Sequence, residues 1–185
     1  MADVAAVFDE VVNARRAVRG FLSRPVDAAT LEAVFDVAAR APSNCNTQPW
    51  LVHVASGAPL QSLRELLPAR FGAADFSLDF PYDGSYEGVY KERQYAAADA
   101  LYSAAGIARQ DRERRNEQFM RNFTFFDAPH VAFFFLPEPF GLREAADLGM
   151  YAQTVMLAMT ARGLASCPQT ALSFLADPIR EQLGV

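Results

Sequence analysis

The hydrophobic positions of this chain fall into stretches with helical spacing, each bounded by a capping residue or a helix breaker. Val4, Val7 and Phe8 have this spacing, and an apolar period of about 3.6 residues predicts an amphipathic helix. A second predicted helix is capped by Asp27 or Thr30 and ended by Pro42. The last predicted helix starts at Asp177 and Pro178. The other predicted helices are 3–14, 60–67, 86–106, 109–123 and 141–162, the last of these ended by Gly163.

Two shorter apolar runs have strand character instead. Residues 50–55 and 129–136 are apolar at consecutive positions, which is typical of strands buried on both faces. Trp50, the only tryptophan of the chain, is expected to anchor the core. His53 and His130 lie within these runs, and each is expected to be a strand residue with a satisfied ring nitrogen rather than a catalyst.

Length and charge narrow the class of protein. A chain of 185 residues with 51% hydrophobic residues is long enough for one well-buried domain. Its net charge of −5 argues against nonspecific nucleic-acid binding. Lys91 is the only lysine, so an anion would have to be held by arginine or by backbone N–H groups.

The cysteine content and the terminal sequence indicate the compartment. Cys45 and Cys167 are the only cysteines, and they have neither metal-ligand spacing nor a disulfide framework. Two free thiols suit a reducing compartment. No apolar run approaches the roughly 20 residues that span a bilayer, and the N-terminal residues lack a signal-peptide pattern. We therefore expect a cytoplasmic protein with no membrane partner, no nucleic-acid partner and no metal.

Three arginines follow the first predicted helix. Arg15, Arg16 and Arg19 lie within five residues of one another, and like charges at this density repel unless an anion or acids lie between them. Arginine side chains combined with backbone N–H groups are well suited to a phosphate monoester. The alternative is a solvated basic patch balanced by nearby acids.

A polar segment joins the second predicted helix to the first strand. It contains Pro42, Ser43, Asn44, Asn46 and Gln48, a density of hydroxyl and amide groups that a plain connector does not need. The alternative is a polar turn in which these side chains make local backbone hydrogen bonds.

These two segments together resemble the flavin-binding signature of the nitroreductase family. Residues 15–21 match the family pattern Arg-Arg-Ser-x-Arg-x-Phe except at Ala17, and residues 41–50 match Ala-Pro-Ser-x-x-Asn-x-Gln-Pro-Trp. The resemblance implies that FMN is bound by the three arginines, by the backbone at Ala17 and by the polar segment. Amide side chains can pair with the alternating donors and acceptors of the isoalloxazine edge.

A third segment, residues 163–171, resembles the family's Gly-Leu-Gly-x-x-Pro-x-x-Gly loop, with Ala171 in place of the last glycine. In the family a backbone N–H of this loop faces flavin N5, and alignment on Pro168 puts Gln169 and Thr170 at that place. The resemblance spans about residues 10–55 and 128–185.

The implied fold is α+β, with a central, mostly antiparallel sheet flanked by helices in an intertwined homodimer. We expect residues 1–185 to form one nitroreductase-like domain with a lid insertion over about 72–120. In the family, more chain follows the last helix and contributes a further strand, so we expect the C-terminal end to be incomplete.

The lid segment is rich in aromatic residues, including Tyr86 and Tyr90. Aromatic side chains over a flavin would stack on a flat acceptor, so these tyrosines are expected to contact substrate. The alternative is that the aromatic residues are helix faces packed on the core.

The implied activity is electron transfer from NADPH or NADH, through FMN, to a small aromatic acceptor such as a nitroaromatic or a quinone, by a ping-pong mechanism. The resemblance assigns no catalytic side chain, because the cofactor carries the chemistry. The alternatives are reductive dehalogenation or flavin breakdown on the same fold, or a flavin-binding protein without turnover.

Overall fold

The structure is a computed structural model that describes residues 3–185. Two compact units divide this part of the chain: the described residues up to Gln61 with Phe126–Pro168, and Ser62–Phe125 with Gln169–Val185. The helices are α1 (Val4–Ala14), α2 (Ala28–Ala38), α3 (Gly57–Gly72), α4 (Gly88–Ala104), α5 (Arg112–Met120), α6 (Leu142–Thr160) and α7 (Ala176–Leu183), and the strands are β1 (Leu51–Ser56) and β2 (His130–Phe135).

The two strands pair antiparallel, with Leu51 opposite Phe135 and Ser56 opposite His130. Both strand predictions and the α+β class are confirmed. The expectation that β1 is buried on both faces is wrong, because Leu51 and Val54 are exposed. Within residues 3–185 the sheet has only two strands, so each strand has one edge without a neighbouring strand. β1 is therefore less enclosed than a central strand would be.

Hydrogen bonds of His130 connect the end of this sheet to the residues that precede α2. Its Nε2 accepts the N–H of Val26 at 2.9 Å, and its Nδ1 lies 2.5 Å from the Ser56 hydroxyl. Because Nε2 is an acceptor, the proton of the neutral ring lies on Nδ1 and is donated to Ser56. The expectation of a satisfied ring nitrogen is confirmed for His130.

The core of the first unit is built where α2 packs on α6. Val34 and Ala38 of α2 meet Val155 and Ala158 of α6. Asp27 is the N-cap of α2, because its carboxylate accepts the N–H of Thr30 at 2.8 Å. The sequence offered both Asp27 and Thr30 as the capping residue of α2, and the structure shows that Asp27 is the cap.

Helix α1 forms as predicted, with Asp3 as its N-cap. Its apolar stripe, however, is not part of the core. No residue of α1 is buried, and Val4 and Phe8 are 81% and 59% exposed. This stripe is an uncovered apolar surface.

The second unit is held together by aromatic packing. The ring of Phe71 lies 4.3 Å from that of Phe123 and 5.6 Å from that of Phe119, measured between centroids. Phe174 also packs against Phe71, edge to face.

Helix α7 begins at Ala176, so the prediction that Asp177 and Pro178 start it is wrong by one to two residues. The reason is a partner remote in sequence. The backbone oxygen of Ser77 accepts the N–H of Ala176 at 3.2 Å, and the Ser77 hydroxyl accepts that of Asp177 at 2.9 Å. These bonds satisfy donors that a capping side chain would otherwise serve.

Other helix bounds differ from the sequence pattern by a few residues. Helix α3 is longer than the predicted 60–67 and contains Pro68, whereas α4 and α5 are shorter than 86–106 and 109–123. A 3-10 segment, Arg121–Asp127, follows α5. Among the helices of residues 3–185, none has the length and hydropathy needed to cross a bilayer.

Candidate functional site

The arginine segment lies beside the segment that precedes Pro168. Ala17 forms an isolated parallel bridge with Ser166, and the N–H of Val18 donates to the oxygen of Ser166 at 3.0 Å. Burial raises the pKa of the Cys167 thiol, and the positive charge of Arg19 partly opposes this rise. The fold therefore brings together two of the three segments that the sequence singled out.

The three arginines have different roles in the structure. Arg16 donates to the backbone oxygens of Asn13 and Arg15 and so serves carbonyls at the end of α1. Arg15 is half-buried and Arg19 is exposed. Within residues 3–185, no ion pair joins Arg15 or Arg19 to an acid. The balanced basic patch is thus not what the structure shows at these two side chains.

The polar segment forms a tight loop with its own internal bonds. The Ser43 hydroxyl accepts the N–H of Gln48 at 2.9 Å, and the Ser43 backbone oxygen accepts that of Asn46 at 3.0 Å. Asn44, Asn46 and Gln48 are exposed, so their amide groups can reach a ligand. The local bonds proposed as the alternative explanation exist, and they include the Gln48 amide donating to Asn46 Oδ1 at 3.4 Å and the Cys45 thiol donating to Asn44 Oδ1 at 3.7 Å. The three amide side chains nevertheless stay at the surface.

Three residues of this loop have left-handed backbone conformations. The φ angles of Cys45, Asn46 and Gln48 are 51°, 56° and 47°. Only glycine adopts this region freely, and each other residue held there costs of the order of 1–3 kcal/mol. Such conformations persist only where the surroundings enforce them, and they cluster at ligand-binding sites.

One buried acid contacts this loop, and the sequence pattern did not identify it. Asp147 of α6 is 6% exposed, and its carboxylate accepts the N–H of Asn44 at 2.9 Å. Tyr151, one turn further along α6, stacks on Trp50 with ring centroids 4.6 Å apart. The signal was present in the sequence, because Asp147 lies four residues before Tyr151 on the apolar stripe of a predicted helix.

The loop after Pro168 leaves two backbone donors available. Pro168 is exposed at the end of the first unit. In the second unit, the Gln169 side chain donates to Asn122 at 3.1 Å, and Thr170 precedes a short 3-10 helix. The N–H groups of Gln169 and Thr170 have no acceptor within residues 3–185.

The two lid tyrosines lie at and before the start of α4, a helix with no buried residue. Tyr86 and Tyr90 are 46% and 65% exposed. Burial raises the pKa of the Tyr82 phenol, and the neighbouring Tyr86 raises it further. Core packing accounts for Phe71, whose ring packs on the buried Phe123, but not for Tyr86 and Tyr90.

No cluster of three His, Cys, Asp or Glu side chains that could hold a metal occurs in residues 3–185. Both cysteines are free. The chemistry of this region is that of guanidinium, amide, hydroxyl and backbone N–H groups, a set suited to a polar organic anion.

Comparison with known proteins places this set of residues in context. Residues 12–185 match the profile of the nitroreductase family. The chain is 46% identical over 184 residues to nitroreductase NfnB of Mycolicibacterium smegmatis, covering 99% of this chain and 79% of that protein. It is 36% identical to a 4-nitrobenzoate reductase of Pseudomonas putida, covering 95% of this chain and 78% of that enzyme.

Solved structures agree with these matches. The crystal structure of the FMN-dependent nitroreductase NfnB from Mycobacterium smegmatis in complex with NADPH has a TM-score of 0.94 at 46% identity, covering 99% of this chain and 83% of that one. An FMN- and NADPH-dependent NfnB from a Sphigopyxis strain has a TM-score of 0.91 at 36% identity, covering 96% and 81%. On the profile, the identities and the shared fold, this chain belongs to the nitroreductase family.

Proposed function

We propose that this chain is an FMN-dependent oxidoreductase that transfers electrons from NADPH to a nitroaromatic acceptor by a ping-pong mechanism. The observation that carries the proposal is the loop 43–48, whose amide side chains are exposed on a strained backbone held by a buried carboxylate. Relatives that cover nearly the whole chain are an FMN-dependent nitroreductase in complex with NADPH and a 4-nitrobenzoate reductase.

The residues present fit FMN chemically. Arg15 and Arg19 offer guanidinium groups that lack an acid partner within residues 3–185, which suits the phosphate. Asn44, Asn46 and Gln48 offer both donors and acceptors, which suits the ring edge. The engaged side chain of Arg16 makes it the weakest candidate of the three arginines for a direct contact.

The cofactor, when bound, supplies the redox chemistry by taking a hydride from the nicotinamide and passing electrons on to the acceptor. The protein contributes binding and orientation. We propose that Pro168 shapes the turn and that the free N–H groups of Gln169 and Thr170 donate to the flavin near N5. Pro42 leads into the amide-bearing loop, Ser43 joins its two ends by accepting the N–H of Gln48, and the backbone at Ala17 completes the arginine segment.

An anaerobic absorbance experiment tests the proposed function. FMN bound to the purified protein should lose its visible absorbance when NADPH is added, because hydride transfer reduces the flavin. Addition of 4-nitrobenzoate should then restore the absorbance. NADH in a parallel experiment measures the preference for the donor.

Other outcomes point to other functions. Bound FMN that NADPH does not bleach would contradict an enzyme and leave a flavin-binding protein. If the reduced protein releases halide from a halogenated phenol, and 4-nitrobenzoate does not reoxidise its FMN, reductive dehalogenation would be indicated. Loss of FMN itself in air would indicate flavin breakdown.

We also propose that the active form is a homodimer in which the loop 43–48 reaches the flavin across the interface. The uncovered apolar stripe of α1 supports this, because exposed patches of this kind mark interaction surfaces. An open cavity of about 530 Å³, lined in part by Val37, Ala41 and Pro42, adds apolar surface next to that loop. The two free thiols support a cytoplasmic location.

The segment 72–120 is proposed to be the lid over the acceptor, within a single domain spanning 1–185. Replacing Tyr90 with alanine should raise the KM for 4-nitrobenzoate by up to about tenfold, because aromatic contacts add roughly 0.5–1.5 kcal/mol beyond burial. The same is expected for Tyr86→Ala. The dissociation constant of FMN should stay near the parent value, and both quantities are measured on the same preparations.

Tyr90→Phe is the matched control, since it keeps the ring and should keep most of the parent KM. Loss of FMN from Tyr90→Ala, with unchanged acceptor kinetics in the enzyme that remains loaded, would contradict a role in the acceptor pocket.

A further inference from the structure

We propose that Asp147 is a positioning residue that holds the loop 43–48 in its ligand-binding conformation before FMN arrives. The inference rests on the proposed function, and it concerns a residue that does not itself contact the cofactor. Its role is to set FMN affinity through the backbone of the loop.

The first support is the burial of an acid where an apolar residue would be expected. Asp147 is 6% exposed and is the buried charged residue found within residues 3–185. On the same side of α6, Tyr151, Val155 and Ala158 are all buried in the core. Removing a carboxylate from water is costly unless it is hydrogen-bonded, so a carboxylate buried at this position needs a specific hydrogen-bond donor.

The partner is the loop itself. The Asp147 Oδ2 accepts the N–H of Asn44 at 2.9 Å, and hydrogen bonds to a charged acceptor are stronger than those between neutral groups. Within residues 3–185, this is the one hydrogen bond that joins residues 43–48 to another element. The remaining bonds of the loop are internal.

The loop needs such an external hold because its conformation is unfavourable on its own. Cys45, Asn46 and Gln48 all have positive φ angles without being glycine. A free chain of this sequence would spend most of its time elsewhere, since left-handed backbone is disfavoured for these residues. The internal bonds from Ser43 close the turn but do not fix its place on the protein.

Helix α6 holds the segment at a second point, one turn away. Tyr151 stacks on Trp50, just past the end of the loop, with an interplanar angle of 20°. Asp147 at Asn44 and Tyr151 at Trp50 therefore anchor the two ends of residues 44–50 to consecutive turns of one rigid helix. A loop held in this way binds with less loss of conformational entropy, and so with higher affinity.

The rival explanation is that Asp147 serves only the stability of the fold. The two explanations predict different results for Asp147→Leu, which replaces the carboxylate with an apolar side chain of similar size. The substitution removes the hydrogen bond to Asn44, and because Asn44 is exposed, water can replace the lost acceptor and limit the loss of stability. Positioning predicts that stability and FMN affinity separate, and a purely structural role predicts that they change together.

The experiment uses the parent protein, Asp147→Leu, Asp147→Asn and the control Glu32→Leu, which removes an exposed carboxylate on α2. FMN binding to the cofactor-free proteins is followed by flavin fluorescence, and thermal unfolding is measured on the same samples. Hydrogen exchange reports the protection of the amides of residues 44–48. Trp50, the only tryptophan, reports the end of the loop through acrylamide quenching.

We expect Asp147→Leu to weaken FMN binding about tenfold, as for the loss of one charge-assisted hydrogen bond. Its exchange should rise at residues 44–48 and not elsewhere, and its quenching should increase. Asp147→Asn keeps an acceptor oxygen and should recover most of the affinity. Glu32→Leu should match the parent.

The proposal is overturned if Asp147→Leu binds FMN as the parent does, or if its affinity falls only in step with a loss of stability spread over the whole chain. A second measurement needs no variant. In the cofactor-free parent, the Asn44 amide should already exchange slowly; exchange at the rate of an unfolded loop, slowed only by FMN, would also overturn it.

Failure of the proposed function gives a different result. If the parent itself does not bind FMN, the flavin proposal fails, while the exchange at residues 44–48 in the variants still reports whether Asp147 anchors the loop.

Discussion

Arg15→Ala should weaken FMN binding about tenfold or more. The guanidinium of Arg15 has no acid partner within residues 3–185, so in the bound state its charge is free to pair with the phosphate. A hydrogen bond to a charged group is worth about 1.5–3 kcal/mol, which corresponds to roughly tenfold to 100-fold in a dissociation constant. Titration of the cofactor-free protein with FMN measures the change.

Riboflavin sharpens this test because it lacks the phosphate. Arg15→Ala and Arg19→Ala should weaken FMN binding while leaving riboflavin binding near the parent value. Arg24→Ala, an exposed arginine in the same unit, is the matched control for a change in net charge. An unchanged FMN dissociation constant in Arg15→Ala, or an equal loss for riboflavin, contradicts a phosphate contact.

Arg15→Lys separates charge from shape at the same position. Lysine keeps the positive charge but loses the planar fork that binds two oxygens at once. Its affinity for FMN should therefore fall between those of the parent and of Arg15→Ala. High salt should weaken binding more in the parent than in Arg15→Ala, because the charge contribution is screened.

Features set by local chemistry could be predicted from the sequence. Asp3 and Asp27 cap their helices through their own carboxylates, and Gly163 lies at the end of α6 with a φ of 70°. The strands lie where β-branched and aromatic residues run together. In each case the deciding interaction lies within a few residues of the position it explains.

Features that depend on distant parts of the chain could not be predicted from the sequence. The start of α7 is set by Ser77, about a hundred residues earlier in the chain, and the loop 43–48 is tied to Asp147 over a similar separation. The positive φ angles of that loop lie on asparagine, glutamine and cysteine, so no glycine signals them. Ala17 and Ser166 are neighbours only because the whole first unit folds.

The apolar pattern also predicts that one side of α1 avoids water, but it does not predict what covers that side. The stripe of α1 follows the same rule as that of α2, yet α2 is packed on α6 while Val4 and Phe8 face outward. Periodicity shows which side of a helix avoids water. Only the folded structure shows that, within residues 3–185, the stripe of α1 stays exposed. The homodimer proposed above would bury it.

Phe8→Asp should therefore convert the proposed homodimer into monomers. Burial of a phenylalanine is worth about 1.5–3 kcal/mol, and a two-fold symmetric interface contains two copies of each residue. The loss of roughly 3–6 kcal/mol raises the dimer dissociation constant by about 100-fold or more, before the cost of placing a carboxylate there is added. Sedimentation of the FMN-loaded protein at micromolar concentration measures the effect.

Ala6→Asp is the matched control, since it adds the same charge to the opposite face of α1 and should leave the dimer intact. If the loop 43–48 binds flavin across the interface, the Phe8→Asp monomer should also lose FMN. A parent protein that sediments as a monomer with one FMN per chain would contradict the dimer outright. A Phe8→Asp monomer that keeps FMN at the parent affinity would instead place each flavin site within one chain, because dissociation would then remove no part of the site.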